Sequence, residues 1–131
     1  MPFSIRNSRL RRFLKIRVII ERRLKKGEHI SSLLRQLRVA AIAQRGYISG
    51  ETLVNTEDSN FITVISTWRS IEDWRAWEKS EQRTKSNRQI ASLLEGPSII
   101  KVYSIMSTEE SEYLENPTDW LQKKERPSFD G

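Results

Sequence analysis

The sequence predicts an α+β domain of the ferredoxin-like plan: strand, helix, strand, strand, helix, strand, with a four-stranded antiparallel sheet. Three observations carry this. Residues 61–77, FITVISTWRSIEDWRAW, switch from an alternation of period two to aromatic residues at helical spacing. Leu14, Ile16, Val18 and Ile20 alternate with Lys15, Arg17, Ile19 and Glu21, and a stripe of period three to four follows at Ile30, Leu33, Leu34, Leu37 and Ala41. After Gly96-Pro97 a last alternating stretch runs from Ser98 to Ile105.

Taken in order, residues 1–12 are rich in arginine and poor in apolar groups, which predicts a basic arm. The domain proper is expected over 13–106. Its first strand spans Phe13 to Arg23 with one buried face. Lys25-Lys26-Gly27 makes a turn, and a helix is expected from about Glu28 to Gln44, with Arg35, Gln36 and Arg38 in water. Arg45-Gly46 ends it, Gly46 as a left-handed cap. Tyr47 to Asn55 is the second strand, and the polar turn TEDSN at 56–60 joins it to the third as a hairpin. Ser70, with Asp73 three residues on, predicts a helix start; that helix should reach about Glu81 and break over the polar run 82–86. Ile90, Leu93 and Leu94 form a further short stripe before the fourth strand.

The segment 107–131 is a C-terminal extension. Asn116-Pro117 offers a helix start, and Tyr113, Leu114, Trp120 and Leu121 stand out in an acidic, polar stretch. Trp120 is expected to dock on the body of the protein, since disordered tails rarely carry such a group.

A length of 131 residues suits one domain with a sizeable core. There is no cysteine, which excludes disulfide and thiolate chemistry and points to a cytoplasmic setting. No apolar run approaches a membrane span, and Lys15 and Arg17 interrupt what would otherwise resemble a signal peptide, so no membrane role is expected. The net charge of +6 gathers at the front of the chain, but no nucleic-acid motif or stacking aromatic accompanies it. It reads as a solvated arm and an exposed strand face rather than a nucleic-acid surface. Metal-ligand spacing, a glycine-rich phosphate loop and a nucleophile elbow are all missing. His29, the single histidine, has no partner in sequence and reads as a surface residue; Glu51, on the second strand, could act as a base if it points inward, and otherwise reads as part of a solvated strand face.

A sheet of this kind has helices on one face. Its other face is expected to be apolar through residues such as Ile65, Ile16 or Val102, depending on register. Several hundred Å² left wet would forgo several kcal/mol at roughly 25 cal/mol per Å², so a homodimer formed sheet to sheet is expected.

RGYISGETLVN at 45–55, the tryptophan-ended strand FITVISTWRS, the helix IEDWRAWEKS and the closing EGPSIIKVYSI resemble the antibiotic biosynthesis monooxygenase (ABM) domain, a dimeric α/β-barrel family, over about Phe13 to Ile105. The resemblance implies a pocket between helices and sheet. It also implies a possible activity: some members oxidise polyphenolic molecules with oxygen and no cofactor, and others degrade haem. Haem degradation is not expected here. Trp77 matches the tryptophan of that branch, but Asn87 stands where its histidine ligand would be and about Ile20 where its asparagine would be.

By this resemblance Trp77 is a pocket wall, with core packing as the other reading. Trp68, Trp74 and Tyr103 are further substrate-binding candidates; tryptophans at helical spacing also commonly pack as core. Asn87 and Arg83, with Arg88 nearby, could donate hydrogen bonds to a phenolate, and Tyr47 or Tyr103 could relay a proton. The resemblance implies a cofactor-independent monooxygenase acting on an aromatic or polycyclic small molecule. The contrasting reading is a non-catalytic ligand-binding or regulatory module on the same fold.

Overall fold

The computed structural model describes residues 14–106. Its elements are β1 (Ile16–Arg23), α1 (Ser31–Ile42), β2 (Tyr47–Val54), β3 (Phe61–Trp68), α2 (Ile71–Glu78), α3 (Glu81–Ala91) and β4 (Ile99–Ser104). The four strands form one antiparallel sheet in the order β2-β3-β1-β4. This is the ferredoxin-like βαββαβ fold, its last helix in two pieces. The basic arm and the extension carrying Trp120 lie outside the described residues.

Strand parity decides which side chains meet the helices. Leu14, Ile16, Val18 and Ile20 are all buried, as their alternation requires. Val18 stands opposite both Ser66 and Val102, so Ile62, Val64, Ser66 and Trp68 of β3, with Ile100 and Val102 of β4, share the helix-covered face. Leu37 and Ala41 of α1, Trp74 and Trp77 of α2, and Ile90 of α3 close the core over them.

Two helix boundaries differ from expectation. The first helix begins at Ser31, because the Glu28 N–H donates to the Lys25 carbonyl, 3.1 Å, and Ile30 is not helical; the Ile30 carbonyl then accepts the first helical bond from Leu34, 2.9 Å. The second helical region does not break at 82–86. It breaks at Lys79-Ser80, and residues 82–86 are helical. The Ser80 hydroxyl accepts from the Arg83 N–H at 3.1 Å and starts α3, just as the Ser70 hydroxyl accepts from the Asp73 N–H at 3.1 Å and starts α2.

Gly46 is required by its site. Its φ is +86°, and a Cβ there would meet the Asp73 carboxylate. Its carbonyl accepts from the Arg69 N–H at 2.7 Å, tying the end of α1 to the end of β3.

The far face of the sheet is mixed rather than apolar. Ile16 and Val102 belong to the other face. The far face combines half-buried Ile19, Phe61 and Ile65 and exposed Leu53, Ile99 and Tyr103 with Arg17, Glu21, Arg23, Glu51 and Lys101. Its charges are partly paired: Lys101 with Glu21 at 3.4 Å, and Arg23 with Asp58 at 2.6 Å. No helix of the described residues is long and apolar enough to cross a membrane.

Candidate functional site

A cavity of about 60 Å³ lies between the sheet and the helices. Ile20 and Arg22 of β1 line it, with Val64, Ser66 and Trp68 of β3, Leu34, Leu37 and Arg38 of α1, Trp74 and Trp77 of α2, and Arg83 of α3. Tyr47 and Thr52 of β2 complete the wall, with exposed Glu51 beside them. Volume alone gives room for a few waters or one small planar group.

The aromatic wall is built by the turn from strand to helix. Trp68 ends β3 pointing inward, and the Ser70 cap starts α2 at once, so Trp74 and Trp77 come back over it. Trp68 and Trp77 lie nearly parallel, 6.4 Å between centroids and 22° between planes. Trp74 meets Trp68 edge-on at 5.8 Å, and so does Tyr47 at 5.4 Å and 89°. These are favourable aromatic geometries. A register shift between Tyr47 and Ser49 keeps Tyr47 opposite Trp68. The Trp68 indole N–H donates to the Ser66 hydroxyl at 3.0 Å.

Two guanidinium groups also line the cavity. Arg22 is 2% exposed and Arg83 is 6% exposed. Arg83 lies over the Trp74 ring, 5.2 Å from its centroid, and one of its Nη groups donates to the Glu78 carbonyl at 3.4 Å. Arg22 has no such support: its Nε and Nη1 find no acceptor among the described residues, and neither does the Trp74 indole N–H. Neither guanidinium makes an ion pair with a carboxylate of the described residues. Burial, and then the positive charge of Arg83, push Arg22 down to about 10; burial also lowers Arg83, partly offset by Glu78. Both remain cations at neutral pH.

Of the residues expected at the site, the structure brings together Trp68, Trp74, Trp77, Tyr47 and Arg83. It leaves out two. Tyr103 stands opposite Arg17 on the far face of the sheet, half exposed, because β4 turns Ile100 and Val102 toward the helices. Asn87 is half-buried on α3 but not on the cavity wall. His29 is exposed before α1. Among the described residues no three His, Cys, Asp or Glu side chains gather as a metal site.

Arg22 is the residue that sequence reasoning missed. It stands among the positive charges at the front of the chain, yet it continues the buried phase of Leu14, Ile16, Val18 and Ile20. An arginine in register with an apolar stripe was the available signal.

Solved structures share this fold. A conserved protein from Methanosarcina mazei matches with a TM-score of 0.65 and 17% identity, over 76% of this chain and 96% of that one. SnoaB, a cofactor-independent oxygenase from Streptomyces nogalater, matches with a TM-score of 0.65 and 12% identity, over 72% of this chain and 96% of its own. Rv0793 from Mycobacterium tuberculosis matches with a TM-score of 0.65 and 16% identity, over 71% and 96%. At such identities the likeness speaks for the fold alone. No curated protein matches. The family model described as antibiotic biosynthesis monooxygenase matches residues 16–89, more than half of the 131, from β1 into α3. The chain belongs to the antibiotic biosynthesis monooxygenase family.

Proposed function

We propose that this protein is a cofactor-independent monooxygenase acting on a small aromatic molecule in the cavity between sheet and helices. The observation that supports it best is the pairing of the stacked indoles Trp68 and Trp77 with buried cationic donors at Arg22 and Arg83. A phenol bound there would be held as its phenolate, since nearby guanidinium groups favour the anion. Tyr47, on the cavity wall, would relay the proton. The electrons come from the substrate. A phenol and one molecule of oxygen give a quinone and one water: one oxygen atom enters the ring carbon, and the other leaves with the two hydrogens. SnoaB, with the same fold, is a cofactor-independent oxygenase. A cavity of about 60 Å³ is well under the roughly 150 Å³ that takes up benzene, so as it stands it holds the edge of a ring, and a one- or two-ring phenol such as a naphthol requires it to widen.

The test is oxygen uptake with a naphthol under isotopically labelled oxygen. The expected result is protein-dependent formation of naphthoquinone carrying one labelled atom, reduced about ten-fold or more in Trp77→Ala. Uptake no faster than the protein-free rate would exclude the activity. A non-catalytic ligand-binding module on the same fold is the second reading. It is favoured by the small cavity and by the lack of a histidine among the lining residues, and it predicts ligand binding without uptake.

The protein is further proposed to be a cytoplasmic homodimer joined through the far sheet face, where Ile19, Phe61 and Ile65 are already half-buried. Because that face also carries Arg17, Glu21 and Lys101, the interface would be mixed, apolar contacts alternating with ion pairs. Sedimentation at micromolar concentration should return a dimer; a stable monomer would exclude it.

A further inference from the structure

The buried groups without partners around the cavity are all donors. They are Nε and Nη1 of Arg22 and the indole N–H of Trp74, and among the described residues no buried side-chain acceptor is left unpaired to match them. A buried donor without an acceptor costs about 1–3 kcal/mol, and more when it is charged. A second guanidinium, Arg83, is buried on the same cavity and lies over the Trp74 ring. Like charges buried together raise that cost, and the described residues supply no carboxylate paired with either group. Native proteins keep buried charges paired or bound to something. The complement of this wall is therefore a compact anion rich in acceptors.

We propose that the Arg22–Arg83 side of the cavity is a carboxylate-recognition site, and that the ligand is a planar aromatic acid whose ring lies against Trp68 and Trp77. A carboxylate has two oxygens and about four acceptor positions, enough to meet all three unpaired donors and Arg83 as well. Its plane continues that of an aromatic ring, which suits the nearly parallel indoles, and it is compact enough for the cavity. The depressed Arg22 supports the assignment, since a bound anion would restore it toward its usual range. This inference rests on the cavity being the ligand site; it names the class of molecule held there.

The experiment is calorimetric titration of the full chain at neutral pH with benzoate and with benzamide, which share a shape and differ in charge. Benzoate is expected to bind at least about ten-fold more tightly, the scale of charge-assisted hydrogen bonds. Arg22→Met should bring the two affinities close together, mainly by weakening benzoate, while the circular dichroism spectrum stays as it was. Arg83→Met should do the same, and either variant suffices if the other fails to fold. Equal affinities in the native chain, an unchanged preference in Arg22→Met, binding of neither compound at millimolar concentration, or preference for inorganic phosphate over benzoate would each overturn the proposal. Its failure is distinct from that of the oxygenase reading. Naphthol turnover without benzoate preference would sink the carboxylate site alone. Benzoate preference without oxygen uptake would sink only the chemistry.

Discussion

Two groups of side chains sit at similar depth around one cavity and are supported differently. Trp68 is 1% exposed, is packed by three aromatic rings, and gives its N–H to Ser66. Arg22 is 2% exposed, and two of its donors face no acceptor. Burial alone does not separate a residue that holds the fold from one kept for a ligand. What separates them is whether the protein itself completes the residue's hydrogen bonds and charge.

That contrast can be broken by measurement. Trp68→Ala should have the largest effect, a loss of about 3–5 kcal/mol in denaturant unfolding, because the cavity it leaves is ringed by rigid neighbours. A cost below about 1 kcal/mol would mean that the aromatic wall is not what holds the helices down. Ser80→Ala should cost about 1 kcal/mol by removing the cap of α3, the helix that carries Arg83. An unchanged unfolding midpoint would show that Arg83 is held by its own packing and not by the helix start. Arg22→Met should have the smallest effect and the opposite sign, from no change to a gain of about 1 kcal/mol, since an unpaired buried charge gives way to an apolar chain of similar length. A large loss of stability there would make Arg22 structural and erase the contrast.

Much of this was legible in the sequence. The hairpin, the Ser70 cap and the left-handed Gly46 follow from local rules, and the structure shows all three. The apolar stripe of β1 is equally plain, yet the charge of its next member, Arg22, hides that it keeps the same phase. Tyr103 failed for the opposite reason. Both faces of β4 carry apolar residues, so alternation alone does not choose the inward one; the pairing of Val18 with Val102 does, and pairing is a long-range fact. The break at Ser80 was misplaced because the polar run 82–86 looked like a loop. A serine able to cap outweighs such a run, since residues on an exposed helix face are expected to be polar.

The break between α2 and α3 also has a consequence in angles. Trp74 and Arg83 are nine residues apart. On one unbroken helix, at about 100° per residue, they would point in roughly opposite directions and stand roughly 13 Å apart along the axis. No rotamer would lay a guanidinium over an indole from there. The two non-helical residues Lys79 and Ser80 turn the chain, and Arg83 comes within 5.2 Å of the Trp74 ring. A corner of two residues thus lets a single stretch of chain present two sides to one point.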